Sequence, residues 1–110
     1  MLYLADGVDI EYVDNIWLHV YHHAGMSSML MKPSDRDNLS EYIQRIIDGE
    51  AVDEAIRLPY TFDCDPPDEG RYNLFISNAM SVLLINRLDR LELIGLVNEL
   101  NGMQDHEMHP

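Results

Sequence analysis

The chain has 110 residues, 46% of them hydrophobic, and carries 20 acidic against 7 basic side chains for a formal charge of −13. A single domain of this size buries roughly two-thirds of its unfolded surface without staples, and the apolar content excludes a wholly disordered acidic protein. The charge argues against direct binding to a nucleic-acid backbone, and no apolar run approaches the ~20 residues of a membrane helix.

In chain order, Leu2 and Leu4 lead into Asp6-Gly7, a dipeptide favoured in tight hairpin turns. Val8, Ile10 and Tyr12 then share one face, and Asp9 and Glu11 point the other way. Past Asp14-Asn15, a run from Ile16 to His23 sets Ile16, Leu18, Val20 and His22 on one face and Trp17, His19, Tyr21 and His23 on the other. Ala24-Gly25 turns the chain into a short strand from Met26 to Met31. The expected object is an antiparallel meander with one buried side. A helix follows, introduced by Pro33 and by Ser34 with Asp37 three residues on, an acidic variant of the capping box. Leu39, Tyr42, Ile43, Ile46 and Ile47 recur at helical spacing, and Asp48-Gly49 ends the helix.

Further on, Ala51 to Leu58 fits a short helix with Val52, Ala55 and Ile56 inward. Leu58 to Phe62 fits an edge strand, because Pro59 lacks the N–H an inner strand needs. Pro66-Pro67 takes Asp65 to Gly70 out of regular structure and leaves a loop long enough to carry function. Tyr72, Leu74 and Ile76 alternate, Ser77-Asn78 turns, and Met80 to Ile85 forms a buried strand. Asn86, with Asp89 three residues later, caps a second helix bearing Leu88, Leu91, Leu93, Leu96, Val97 and Leu100, which Asn101-Gly102 stops. The predicted fold is α+β, an antiparallel sheet built from two strand-turn-strand-helix units with both helices packed on one face. These half-units span about 1–49 and 71–103 of a single domain over 1–103, joined by the acidic segment 50–70, with 104–110 as a flexible tail.

Charge is uneven along this plan. Residues 1–31 hold Asp6, Asp9, Glu11 and Asp14 with no Lys or Arg. Segment 48–69 sets Asp48, Glu50, Asp53, Glu54, Asp63, Asp65, Asp68 and Glu69 against Arg57 alone, which places more than half of the excess in one stretch. An interaction surface or a solvated loop has this pattern.

Catalytic constellations are missing from the chain: no glycine-rich phosphate loop, paired CxxC, HExxH or nucleophile elbow occurs. The expectation is a non-enzyme without a cofactor. His19, His22 and His23 on one strand, with His106 and His109 in the tail, are the candidate metal ligands. His19 and His23 stand roughly 13 Å apart on a strand, too far to share a zinc held at ~2.1 Å, so no metal is expected. Cys64 lies between Asp63 and Asp65, whose charge disfavours a thiolate, and it reads as an inert thiol. A lone cysteine allows no internal disulfide and fits a reducing cytoplasm. The N-terminal Met1-Leu2-Tyr3-Leu4 lacks the basic start of a signal peptide, so a cytoplasmic protein is expected.

Size, charge and the lack of catalytic motifs lead to one functional expectation. The chain is read as a small acidic inhibitor that binds a basic nucleic-acid-handling protein or nucleoprotein complex, of the kind phages encode against CRISPR or restriction machinery. Alternate strand residues lie ~6.7 Å apart, so rows of carboxylates approach the charge density of a nucleic-acid strand, as a DNA mimic requires. The expected partner-binding residues are Asp9, Glu11, Asp14, Asp53, Glu54, Asp63, Asp65, Asp68 and Glu69, gathered into one anionic patch. The same surface fits an immunity protein or antitoxin that neutralises a basic nuclease. A homodimeric acidic domain, its charge used only for solubility, is the third reading.

Overall fold

Residues 2–4, 8–14, 16–22, 25–50 and 52–102 are described by the structure, a computed structural model. Strands β1 (Leu2–Leu4), β2 (Val8–Val13), β3 (Trp17–His22) and β4 (Gly25–Leu30) precede helix α1 (Pro33–Ile47). Strands β5 (Ala55–Arg57), β6 (Tyr60–Cys64), β7 (Tyr72–Ser77) and β8 (Val82–Leu88) precede helix α2 (Arg90–Leu100). The fold is α+β, and one plan of four strands and a helix occurs twice. All pairings are antiparallel, in two sheets ordered β1-β2-β3-β4 and β5-β6-β7-β8. The strands divide between two ladders because alternation fixes which face of a strand is apolar, and not which strands bond to one another. β4 and β8 nevertheless approach each other, so the two sheets adjoin along these strands.

Segment 50–70 differs from its expected form. Ala55–Arg57 is a strand and not a helix: Ala55 pairs with Phe62, Ile56 with Thr61 and Arg57 with Tyr60. An eight-residue amphipathic pattern is too short to sustain a helix by itself, and the neighbouring strand supplies partners for its backbone. β6 is an inner strand flanked by β5 and β7. Pro59 falls in the Leu58–Pro59 turn, where its missing N–H breaks no ladder.

Both helix starts also shift. Pro33 is the first residue of α1, with Lys32 before it, and Asp35 rather than Asp37 reaches back to accept the Lys32 N–H at 3.2 Å. The carboxylate of Asp37 instead takes Arg36. β8 continues through Asn86 to Leu88, so α2 is capped by Asp89, which accepts the Glu92 N–H at 2.8 Å while Glu92 accepts the Asp89 N–H at 3.1 Å. A bulge opposite Asn73 makes the longer strand work. Tyr72 pairs with Leu88 while Leu74 pairs with Ile85, and this offset keeps both Ile85 and Leu88 in the core. The predicted stops at Asp48-Gly49 and Asn101-Gly102 are where the helices end, each glycine at positive φ.

The helices run antiparallel, side by side, tied by Ser40 Oγ donating to Asn101 Oδ1 at 3.0 Å and Arg90 Nε to the Ile47 carbonyl at 3.4 Å. Each one lies over the other unit. α2 packs on β1 and β2 as well as touching its own β8, and α1 packs on β5 and β6. Where α2 passes β1 at Gly95, a Cβ would stand 3.0 Å from Leu2 Cδ1, the far end of a flexible side chain. One hydrophobic core runs through both units, with Ile10, Leu18, Leu39, Phe62, Ile76 and Leu96 among its fully buried members. Each such side chain contributes about 1.5–3 kcal/mol by burial. Among the described residues no helix is long and apolar enough to cross a membrane.

Candidate partner-binding surface

Both helices lie against the inner faces of the sheets, and no helix or strand among the described residues covers the outer faces. Their side chains follow from register. On the first sheet the outward rows are Val13–Trp17–Leu30, Glu11–His19–Ser28 and Asp9–Tyr21–Met26. On the second they are Ile56–Thr61–Ser77–Val82 and Asp63–Phe75–Leu84. Trp17, Met26, Leu30, Ile56, Val82 and Leu84 are 41% to 66% exposed. Apolar groups of this size on strands are ordinarily buried, so their exposure on these faces stands out. Met26 and Leu30 lie on β4 and Val82 and Leu84 on β8, the two strands through which the sheets approach each other, with Trp17 and Phe75 on the neighbouring strands β3 and β7.

Polar contacts fix the first of these faces. His19 Nδ1 lies 2.7 Å from Ser28 Oγ, its ring stacks on Trp17 within 8° of parallel, and Tyr21 lies on its other side. The Tyr21 hydroxyl donates to Glu11 Oε2 at 3.3 Å; burial, then the hydrogen bond and charge of this carboxylate, pushes the phenol's pKa up. Thus a row of aromatic rings is held upright between carboxylates and β4.

The nine carboxylates expected to form one patch fall into two groups. Asp9 and Glu11 on β2 flank the apolar strip from one side, with Asp14 in the turn that follows. Asp63 on β6 flanks it from the other. β2 and β6 belong to different sheets, separated by β3, β4, β8 and β7. Asp53 and Glu54 precede β5, and Asp65, Asp68 and Glu69 lie in the β6–β7 connection, all exposed. None of the nine pairs with a Lys or Arg among the described residues, whose ion pairs are Arg36–Asp37, Arg45–Glu50 and Arg71–Glu92.

Beside the second group is a cleft of about 270 Å³ between the C-terminal end of α1 and the β6–β7 connection. Ile46, Val52, Cys64, Pro66, Pro67 and Tyr72 line it together with Glu50, Asp53 and Asp65. Burial pushes the Cys64 thiol up to about 11, with Asp65 and Asp63 adding to the effect. Nearby, the Tyr42 hydroxyl is buried with no hydrogen-bond partner among the described residues, and burial holds its ionisation far above the usual phenol range.

Two expectations about titratable groups meet the structure here. His19 and His22 sit on opposite faces of β3 and bond Ser28 and Ser27 respectively, while His23, His106 and His109 lie outside the described residues. Among the described residues no three His, Cys, Asp or Glu side chains converge on a point where a metal ion could sit. The exposed apolar side chains are not legible in the sequence: alternation places Trp17 and Tyr21 on one face, and nothing in a single chain says which face the helices will cover. The chain matches no protein-family model and no curated protein sequence.

Proposed function

We propose that this chain is a non-enzymatic binding module that docks a basic protein on its uncovered sheet face, and that it acts as an inhibitor of a nucleic-acid-handling partner. The observation that carries this reading is an apolar strip of Trp17, Met26, Leu30, Val82 and Leu84 lying between carboxylates on β2 and β6. Protein interfaces share this anatomy, with an apolar centre inside a polar rim. Charge selects the partner: the −13 net charge steers a basic surface inward and repels an acidic one. A second copy is disfavoured, because Asp9, Glu11 and Asp63 of each chain would meet their equivalents. The chain is therefore a mixed apolar and acidic surface rather than a continuous imitation of a phosphate backbone.

Affinity capture from native-host extract tests this, using wild type, a Trp17→Ser/Leu84→Ser variant and an Asp9→Asn/Glu11→Asn/Asp63→Asn variant at low and high salt. The expected outcome is a basic nucleic-acid-binding protein retained by wild type alone, released by salt, and inhibited when the purified pair is assayed. Retention of one partner equally by all three proteins overturns the reading. So does sedimentation of the free wild-type chain as a dimer that the Leu84 substitution dissociates.

A further inference from the structure

We infer that the cleft between α1 and the β6–β7 connection is a receptor for one arginine side chain. In its biological role it rests on the reading of a basic partner, and it lies apart from the sheet face that carries that reading. Size narrows the occupant first. At about 270 Å³ the cleft sits just under the ~300–1,000 Å³ of small-molecule sites, and at ~30 Å³ per water it holds roughly nine waters. That is too roomy for a bare ion and small for a cofactor, and it suits one long side chain.

The lining then selects the chemistry. Ile46, Cys64 and Tyr72 offer an apolar floor, and Pro66-Pro67 form a wall that needs no side-chain ordering to hold its shape. Asp53 and Asp65 enter from opposite ends of the acidic segment, one before β5 and one after β6, and neither meets a Lys or Arg among the described residues. Among the described residues the Asp65 carboxylate accepts one long 3.4 Å bond, from Asn73 Nδ2, and Glu50, the third carboxylate, is shared with Arg45 at 3.6 Å. An aliphatic stem on an apolar floor with a cation between two carboxylates describes both Lys and Arg. Arg is favoured because its planar, weakly hydrated guanidinium stacks on an aromatic face such as Tyr72 and bonds carboxylates with a fixed fork of donors. A lysine ammonium is strongly hydrated and gains less from the same walls.

The test is an amide-resonance titration of the full chain with N-acetyl-arginine methylamide, N-acetyl-lysine methylamide and the neutral isostere N-acetyl-citrulline methylamide. Arginine should give saturable shifts centred on Cys64, Asp65 and Tyr72, with lysine weaker and citrulline silent. Asp53→Asn/Asp65→Asn should weaken arginine binding about tenfold, the worth of two exposed charge pairs. The equal charge change Asp68→Asn/Glu69→Asn, outside the cleft, should leave it within about twofold. Equal shifts from citrulline, equal losses from both double variants, or shifts without saturation overturn the inference. Since these probes are free compounds, failure here leaves the sheet-face reading standing, and a Trp17→Ser/Leu84→Ser chain that loses its protein partner must still bind the arginine probe.

Discussion

Cys64 reports on the cleft it lines, and its reactivity can be calculated from its surroundings. Burial, then Asp65 and Asp63, raises its thiol from the ordinary 9.0 to about 11. At pH 8 the thiolate fraction is then about 0.1% instead of about 10%, a hundredfold deficit. A more basic thiolate is the better nucleophile by roughly six- to tenfold over two units, so alkylation should run about ten- to fifteenfold slower than at an exposed thiol. As the chain has a single cysteine, iodoacetamide consumption followed by intact mass reads this site alone. The rate should rise through a midpoint near 11, and Asp65→Asn should move that midpoint down. A midpoint at or below 9 in the folded chain would refute the claim that burial and two carboxylates govern this thiol; restricted access slows the reaction without moving its midpoint. The same shift links to stability. Below pH 9 the thiol is protonated in both states, whereas between 9 and 11 the unfolded chain releases a proton that the folded chain keeps. Stability should therefore fall across that window in denaturant titrations at fixed pH.

Other substitutions test the architecture. Phe62→Ala removes a fully buried ring that is parallel to Tyr60 and tilted against Tyr42, and should cost about 3–5 kcal/mol in urea unfolding. Asp89→Ala deletes the cap of α2 and should cost about 1 kcal/mol, whereas Asn86→Ala, the cap expected from sequence, should be nearly neutral. Gly95→Ala sets a helix gain of about 1 kcal/mol against a Cβ 3.0 Å from the flexible end of Leu2, which can rotate aside; a small rise in melting temperature is expected. A fall would mean that Leu2 is pinned.

Periodicity made the strands and helices legible because it depends on neighbours in the chain: Val8, Ile10 and Tyr12 declare a face, as do Leu39, Ile43 and Ile46. Ends were harder. Asn86 and Asp89 are three apart and so are Asp89 and Glu92, and only the bulge opposite Asn73, which lets β8 run on to Leu88, decides which pair caps α2. Ala55–Arg57 does not read as a strand because its partner, Tyr60–Phe62, itself reads as an edge, with Pro59 beside it. The acidic residues were visible at once, but their grouping was not. Asp53 and Asp65 meet across one cleft through the β5–β6 hairpin, and Asp9 parts from them because it belongs to the other ladder.

The crossing of the helices decides what half of this molecule would be worth. A fragment ending at Glu50 would keep its meander and its helix yet leave β1 and β2 bare, since the roof above them belongs to residues beyond Arg90. Two such fragments could shelter only each other, as intertwined twins. The intact polypeptide carries both twins on one thread, so damage to either helix is felt first beneath the opposite gable.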